Sequence, residues 1–279
     1  MKENLIKGGS MKRFFLSITL LFALCVSVYA SDNALWEKST LNQILKRGEL
    51  RVGLEAGYKP FEMTASNGEI VGFDVDIAKQ MAKAMGVKLK LVNTAWDGII
   101  PALITDKFDI IMSGMTITPQ RNLQVNFAEP NIVVGQTILI KKELADKVKS
   151  YKDLNSEKYI IATKLGVTAD FATKRYMPKA KKNLFETEAD AFQDFINGKA
   201  DAFVYDLPLC AFYYSDYKDK LVFLDEPFTY EPLAWAVRKG DPDFLNWLNN
   251  FLRQIKNDGT YDAIYEKWFK SDDWKKMVK

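Results

Sequence analysis

The sequence predicts an α/β protein made of two successive α/β sets, with extended stretches that could cross between domains. Three observations carry this. Strand-like and helix-like patterns alternate from residue 48 to 112, which is the order of a parallel sheet with crossover helices. At Asn131 the pattern changes to a long extended run, 133–140, and a second α/β set follows. A further extended run, 233–237, then leads back to two closing helices. The length of 279 residues allows one large or two ordinary domains.

The N-terminus reads as a targeting segment. Met11-Lys12-Arg13 is a basic start, residues 14–28 are apolar apart from Ser17, Thr19 and Ser27, and Val28-Tyr29-Ala30 is a small-x-small pattern. This is the form of a secretory signal peptide cleaved after Ala30, with residues 1–10 an upstream extension. Cys25 is the alternative, as a lipid-anchoring site, but Leu24 before it is not the small residue such a site wants. The chain carries 39 basic and 36 acidic residues. Four of the cations and one of the anions lie in residues 1–30, which leaves 35 of each. A neutral remainder gives no electrostatic ground for a nucleic-acid partner or an anionic membrane surface. The chain has no histidine, which excludes His-based triads, His metal sites and His acid–base catalysis. Cys210 is the one cysteine beyond the targeting segment and is read as a small buried residue, so no intramolecular disulfide forms. No metal and no cofactor are expected.

Taken in order, residues 31–45 are a helical lead-in and 48–54 a first strand, alternating as a strand should. Residues 55–62 form the loop at its C-terminal end, where ligands sit in open α/β sheets. Asn67-Gly68 marks a tight turn. Ile77, Ala78, Met81, Ala82 and Met85 share one helix face, Gly86 suits the end of that helix, and Asp74 and Asp76 are read as acids at its N-terminus. A strand at 87–92 and a helix from Trp96, with Pro101 near its first turn, come next. In the second set, 159–162 is a strand, 164–168 a loop opening a helix, 189–196 a helix, 201–205 a strand running into Asp206-Leu207-Pro208, and 221–224 a strand. Asp241-Pro242-Asp243 starts a long amphipathic helix, and Thr260 caps a last one with Tyr261, Ile264, Tyr265, Trp268 and Phe269 on it.

The most informative stretch is 108–121. Residues 108–112 are a short buried strand, Thr118 is a helix N-cap, and Pro119 suits the first helical position. Arg121 then falls in the first turn, where the helix dipole disfavours a cation. A guanidinium beside free backbone N–H groups makes a site for a carboxylate or phosphate. Gly114 lets backbone approach a ligand, and the Thr116 hydroxyl adds a donor. The competing reading of Arg121 is an exposed cation paired with a nearby acid.

Five motifs in order make the chain resemble a known family. They are Lys59-Pro60-Phe61-Glu62, Gly72-Phe73-Asp74-Val75-Asp76, Gly98-Ile99-Ile100-Pro101-Ala102-Leu103, the run 115–121, and the ending 258–269. Together they resemble the periplasmic polar amino acid-binding proteins of ABC importers, the family close to glutamine- and histidine-binding proteins. The resemblance implies a two-lobe periplasmic-binding-protein fold, α/β in class, with residues 31–130 plus 232–279 as one lobe and 131–231 as the other. It implies a monomer that binds a polar L-amino acid, glutamine-like by preference, and delivers it to a membrane permease.

By the same resemblance, Arg121 clamps the ligand α-carboxylate with help from Gly114, Thr116 and Thr168, and Asp206 takes the α-ammonium. Tyr58 and Trp96 are aromatic walls, and Glu55 and Lys164 meet the side-chain end. Their opposite charges suit an amide, and Lys164 weighs against an anionic pocket for arginine or lysine. Each has a plainer reading: core aromatics for Tyr58 and Trp96, a solvated loop cation for Lys164, a turn former for Asp206. An enzyme is not expected. The runner-up is a periplasmic cyclohexadienyl dehydratase, acting on prephenate or arogenate, on the same fold. A sensor domain is the third reading.

Overall fold

A computed structural model of the chain describes residues 37–278. The expected signal peptide, its cleavage after Ala30 and Cys25 lie outside the described residues. Two five-stranded α/β sheets make the two lobes. The first is entered by helix α1 (Thr40–Arg47) and strand β1 (Glu49–Leu54). A hairpin, β2 (Met63–Thr64) and β3 (Ile70–Val71), flanks the expected Asn67-Gly68 turn. Helix α2 (Phe73–Met85) leads to β4 (Lys88–Asn93), and α3 (Trp96–Ile104) to β5 (Ile110–Ile111). The single-turn α4 (Pro119–Asn122) and β6 (Asn126–Phe127) follow.

The chain then crosses through β7 (Ile132–Val134) into β8 (Gln136–Lys141). The second set runs β9 (Ile160–Lys164), α5 (Thr168–Tyr176), β10 (Lys181–Phe185), α6 (Glu188–Ile196), β11 (Ala202–Asp206), α7 (Leu207–Asp216) and β12 (Leu221–Leu224). The return is β13 (Glu231–Leu233) and β14 (Ala236–Val237), followed by α8 (Pro242–Asn257) and α9 (Thr260–Tyr265). Among the described residues no helix is long and apolar enough to cross a membrane.

The strand orders are β4-β1-β5-β14-β6 and β10-β9-β11-β8-β12. Both sheets are mixed, where the alternation alone predicts parallel pairing. Strands β1, β4 and β5 are parallel, but β14 runs antiparallel to β5 and β6. Likewise β8 runs antiparallel to β11 and β12 beside the parallel β9, β10 and β11. The physical reason is that β8 and β14 are the strands arriving from the other lobe. They enter their sheets from the opposite end, and β7 and β13 pair antiparallel between the lobes.

Local chemistry explains the elements that position the site. In β1, Leu50, Val52 and Leu54 are wholly buried, and an added Cβ on Gly53 would lie 2.3 Å from the Phe108 ring, so only glycine lets that ring cross the strand. Thr118 caps α4 by accepting the Arg121 amide at 3.2 Å, with Pro119 in the first turn as expected. Asp241 caps two helices with one carboxylate: Oδ1 accepts the Phe244 amide of α8 at 3.1 Å and Oδ2 the Thr40 amide of α1 at 2.7 Å.

Four readings are corrected. Pro101 sits in the second turn of α3, because the helix begins at Trp96. Lys164 is the last residue of β9 and not part of the following loop. Thr260 is the first residue of α9, with Gly259 in the capping position. Asp206-Leu207-Pro208 opens a ten-residue helix, α7, that the sequence reading did not contain.

Candidate functional site

The residues singled out above come together at the C-terminal ends of strands, where an open α/β sheet receives its ligands. Glu55 follows β1, the stretch 113–116 follows β5, Lys164 ends β9 and Asp206 ends β11. All nine residues expected at the site line one cavity between the two sheets.

Arg121 is 9 % exposed, which removes the reading of an exposed cation. Its Nη1 donates to the Thr116 carbonyl at 3.0 Å, and its guanidinium carbon lies 5.1 Å from the centre of the Trp96 ring. Burial pulls its pKa down to about 10, against the attraction of Glu231 and Asp206, so it is cationic at neutral pH. Across the cleft, the Thr168 hydroxyl is 3.4 Å from that of Thr116 and accepts Gln136 Nε2 at 3.2 Å.

Asp206 stands at the N-cap position of α7, but its side chain makes no capping bond and turns into the cleft. Its oxygens accept the Tyr58 hydroxyl and Gln136 Nε2. Burial raises its pKa to about 7, while hydrogen bonds from Tyr58 and Gln136 and the charge of Arg121 hold it back. Tyr58 therefore does more than present a wall. Its ring stacks on Phe61 at 4.6 Å, and its hydroxyl reaches from one lobe to an acid on the other. Gly114, at φ +51°, makes room for that ring, since an added Cβ would lie 2.3 Å from Tyr58 Cε1.

Lys164 is 2 % exposed and is no solvated loop cation. Its ammonium donates to Glu55 Oε2 and, at 3.5 Å, to Glu188 Oε2. Glu188, the first residue of α6, is 4 % exposed. Glu55 Oε1 also accepts the Trp96 amide at 3.3 Å, and Trp96 Nε1 donates to the Gly166 carbonyl at 3.3 Å, a second tie between the lobes. Two carboxylates around one ammonium give this cluster one formal negative charge, with Glu55 and Lys164 lining the cavity and Glu188 behind Lys164.

Sequence reasoning missed Glu188, Gln136, Glu62 and Ser113, and gave Asp74 only a helix-end role. Gln136 had a signal, as a polar residue inside the apolar run 133–140. Glu188 had none, because its partner Lys164 belongs to a different element.

Comparisons with known proteins agree with this geometry. Residues 50–271 match the family described as bacterial extracellular solute-binding proteins, family 3. A crystal structure of an ABC-transporter binding component from Wolinella succinogenes, complexed with lysine, is 59 % identical. It covers 82 % of this chain and 99 % of that one, with a TM-score of 0.81. An ancestral amino acid-binding protein described as a precursor of cyclohexadienyl dehydratase is 55 % identical over 83 % of this chain and 100 % of its own, with a TM-score of 0.79. The glutamine-binding protein of a Bacillus subtilis ABC transporter is 33 % identical over 94 % of this chain and 99 % of its own. With the two-lobe fold, the cleft and this match over most of its length, the chain belongs to the bacterial extracellular solute-binding proteins of family 3.

Proposed function

We propose that the protein captures an L-amino acid with a cationic side chain, lysine or arginine, and delivers it to the permease of an ABC importer. One observation carries the choice of ligand: Lys164 is clamped between Glu55 and Glu188. Its charge is spent inside the protein, and the excess negative charge lies at the end of the cavity where Glu55 is exposed to a ligand. This reverses the preference for glutamine that Glu55 and Lys164 alone suggest. The lysine complex of the Wolinella relative points the same way.

In the proposed complex Arg121 makes a bidentate pair with the α-carboxylate, supported by Gly114, Thr116 and Thr168. Asp206 takes the α-ammonium, released from its contacts with Tyr58 and Gln136. Tyr58 and Trp96 enclose the aliphatic part of the side chain, and Glu55 receives its charged end. The lobes, 31–130 plus 232–279 and 131–231, move about the paired β7 and β13. The mature protein is a periplasmic monomer, with the signal peptide removed after Ala30. A binding role is preferred to dehydration of prephenate because Asp206 suits an ammonium, which prephenate lacks; arogenate carries one, and turnover decides that case.

The test is competition among lysine, arginine, glutamine and prephenate for refolded, ligand-stripped protein. Micromolar or tighter binding of the cationic amino acids, with glutamine weaker, supports the reading. Glutamine binding tighter than lysine overturns the ligand class, and turnover of prephenate or arogenate overturns the binding role.

A further inference from the structure

Glu62 lines the cavity and Asp74 holds the Gly114 amide, but neither is among the ligand contacts proposed above. Backbone bonds set their segments side by side: the amides of Phe73 and Asp74 donate to the carbonyls of Pro60 and Phe61 at 3.0 and 2.9 Å. Both side chains are closed off from water, at 0 % and 2 % exposure. Glu62 Oε1 accepts the Ser113 hydroxyl at 2.8 Å, and Asp74 Oδ2 accepts the Gly114 amide at 3.1 Å. The remaining oxygen of each, Glu62 Oε2 and Asp74 Oδ1, makes no regular hydrogen bond, and the Trp235 indole N–H, also without a regular partner, faces Asp74. Two ionised carboxylates here would repel, and Glu62 would keep a buried oxygen without a partner. One proton between them removes both costs.

We propose that Glu62 and Asp74 share a single proton, with Glu62 as the carboxylic acid donating to ionised Asp74, and that this buried link positions Glu55 and the Ser113–Gly114 backbone for the ligand. The Glu55 amide donates to Ser113 Oγ at 3.0 Å, Ser113 donates to Glu62, Glu62 to Asp74, and Gly114 also to Asp74. Both residues are positioning residues, acting through Ser113 and Gly114.

The electrostatics agree. Burial pushes the Glu62 carboxyl well above the usual range, and the negative charges of Asp74, Glu55 and Glu188 add to the rise. Burial raises Asp74 to about 7, held back by donation from Gly114, Glu62 and Trp235. The other titratable groups facing the pair are Tyr58 and Tyr205 toward Glu62 and Tyr261 toward Asp74. Lys164, which lines the same cavity as Glu62, is engaged by Glu55 and Glu188. Because the folded state holds this proton above the unfolded carboxyl pKa, its contribution to stability is full below that value and is lost as pH rises.

The positioning half rests on the proposed function, while the shared proton does not, and the experiment separates them. Infrared difference spectra at pH 8 compare ligand-free wild type with Glu62→Gln, and thermal unfolding is followed from pH 5 to 8. The expected result is a protonated carboxylic acid carbonyl band in wild type that Glu62→Gln lacks. Glu62→Gln then also gains melting temperature relative to wild type as pH rises, because its amide donates to Asp74 at every pH. Asp74→Asn, whose amide donates to an ionised Glu62, loses the same band and serves if Glu62→Gln does not fold. Absence of the band in wild type, or parallel pH profiles for wild type and Glu62→Gln, overturns the shared proton. For the link to the ligand, Glu62→Gln binds lysine within about threefold of wild type while Glu62→Ala weakens it tenfold or more. Equal loss in both variants overturns the positioning role. Failure of wild type to bind lysine counts against the proposed function and leaves the infrared result standing.

Discussion

Arg121 is the side chain on which the proposed complex turns, and it is already fixed by the Thr116 carbonyl and the Trp96 ring before any ligand arrives. Arg121→Lys keeps the charge and loses the planar fork. Ligand affinity measured by calorimetry is therefore expected to fall roughly tenfold or more, with folding intact. Glu188→Gln tests the charge balance instead. It removes one of the two carboxylates around Lys164, so the ratio of lysine to glutamine affinity is expected to drop by about tenfold, the effect of one charge-assisted contact. An unchanged ratio contradicts a role for that carboxylate in selectivity. Asp206 sets the pH dependence. Its pKa of about 7 in the ligand-free protein comes mainly from burial, and an ammonium ligand needs it ionised. Affinity is expected to weaken as pH is lowered below 7, approaching roughly tenfold per pH unit, and Asp206→Asn to bind weakly without that slope. A titration series from pH 5 to 8 reads this directly.

At the scale of elements, the caps carry stability apart from the site. Asp241 caps both α1 and α8, and Asp241→Ala is expected to cost about 1–2 kcal/mol in unfolding free energy while leaving ligand affinity unchanged. Helices with one apolar face, such as α2 and α8, were legible in the sequence because their period is the period of burial. Helix α7 was not, since it carries apolar and aromatic residues round its whole circumference and shows no polar face. Strand β10 escaped because it is an edge strand opening with Lys181, Lys182 and Asn183, a charged edge that deters further pairing and hides the strand pattern. Strand direction in β8 and β14 is set by which lobe the chain comes from, which no local pattern records. The site residues found early sit in or beside recognisable motifs. Gln136 and Glu188 act through Asp206 and Lys164, 70 and 24 residues away in the chain, and only the folded structure brings them together.

At the scale of the whole molecule, the lobes meet across the cleft through Tyr58 with Asp206, Lys164 with Glu55, Thr116 with Thr168 and Trp96 with Gly166. In the proposed complex an amino acid would exchange several of these lobe-to-lobe contacts for contacts with itself, so that binding and closure would be one equilibrium. A ligand present at a hundred times its dissociation constant is expected to add about 2.7 kcal/mol of stability. The central claim is that the cleft holds a cationic amino acid by its two charged ends and its side chain together. The most direct measurement is calorimetric titration of refolded, ligand-stripped protein with lysine, arginine and glutamine in turn. The account predicts saturable one-to-one binding of lysine or arginine at micromolar or lower dissociation constants, with glutamine weaker. Silence from both cationic amino acids, or tighter binding of glutamine than of either, would contradict it.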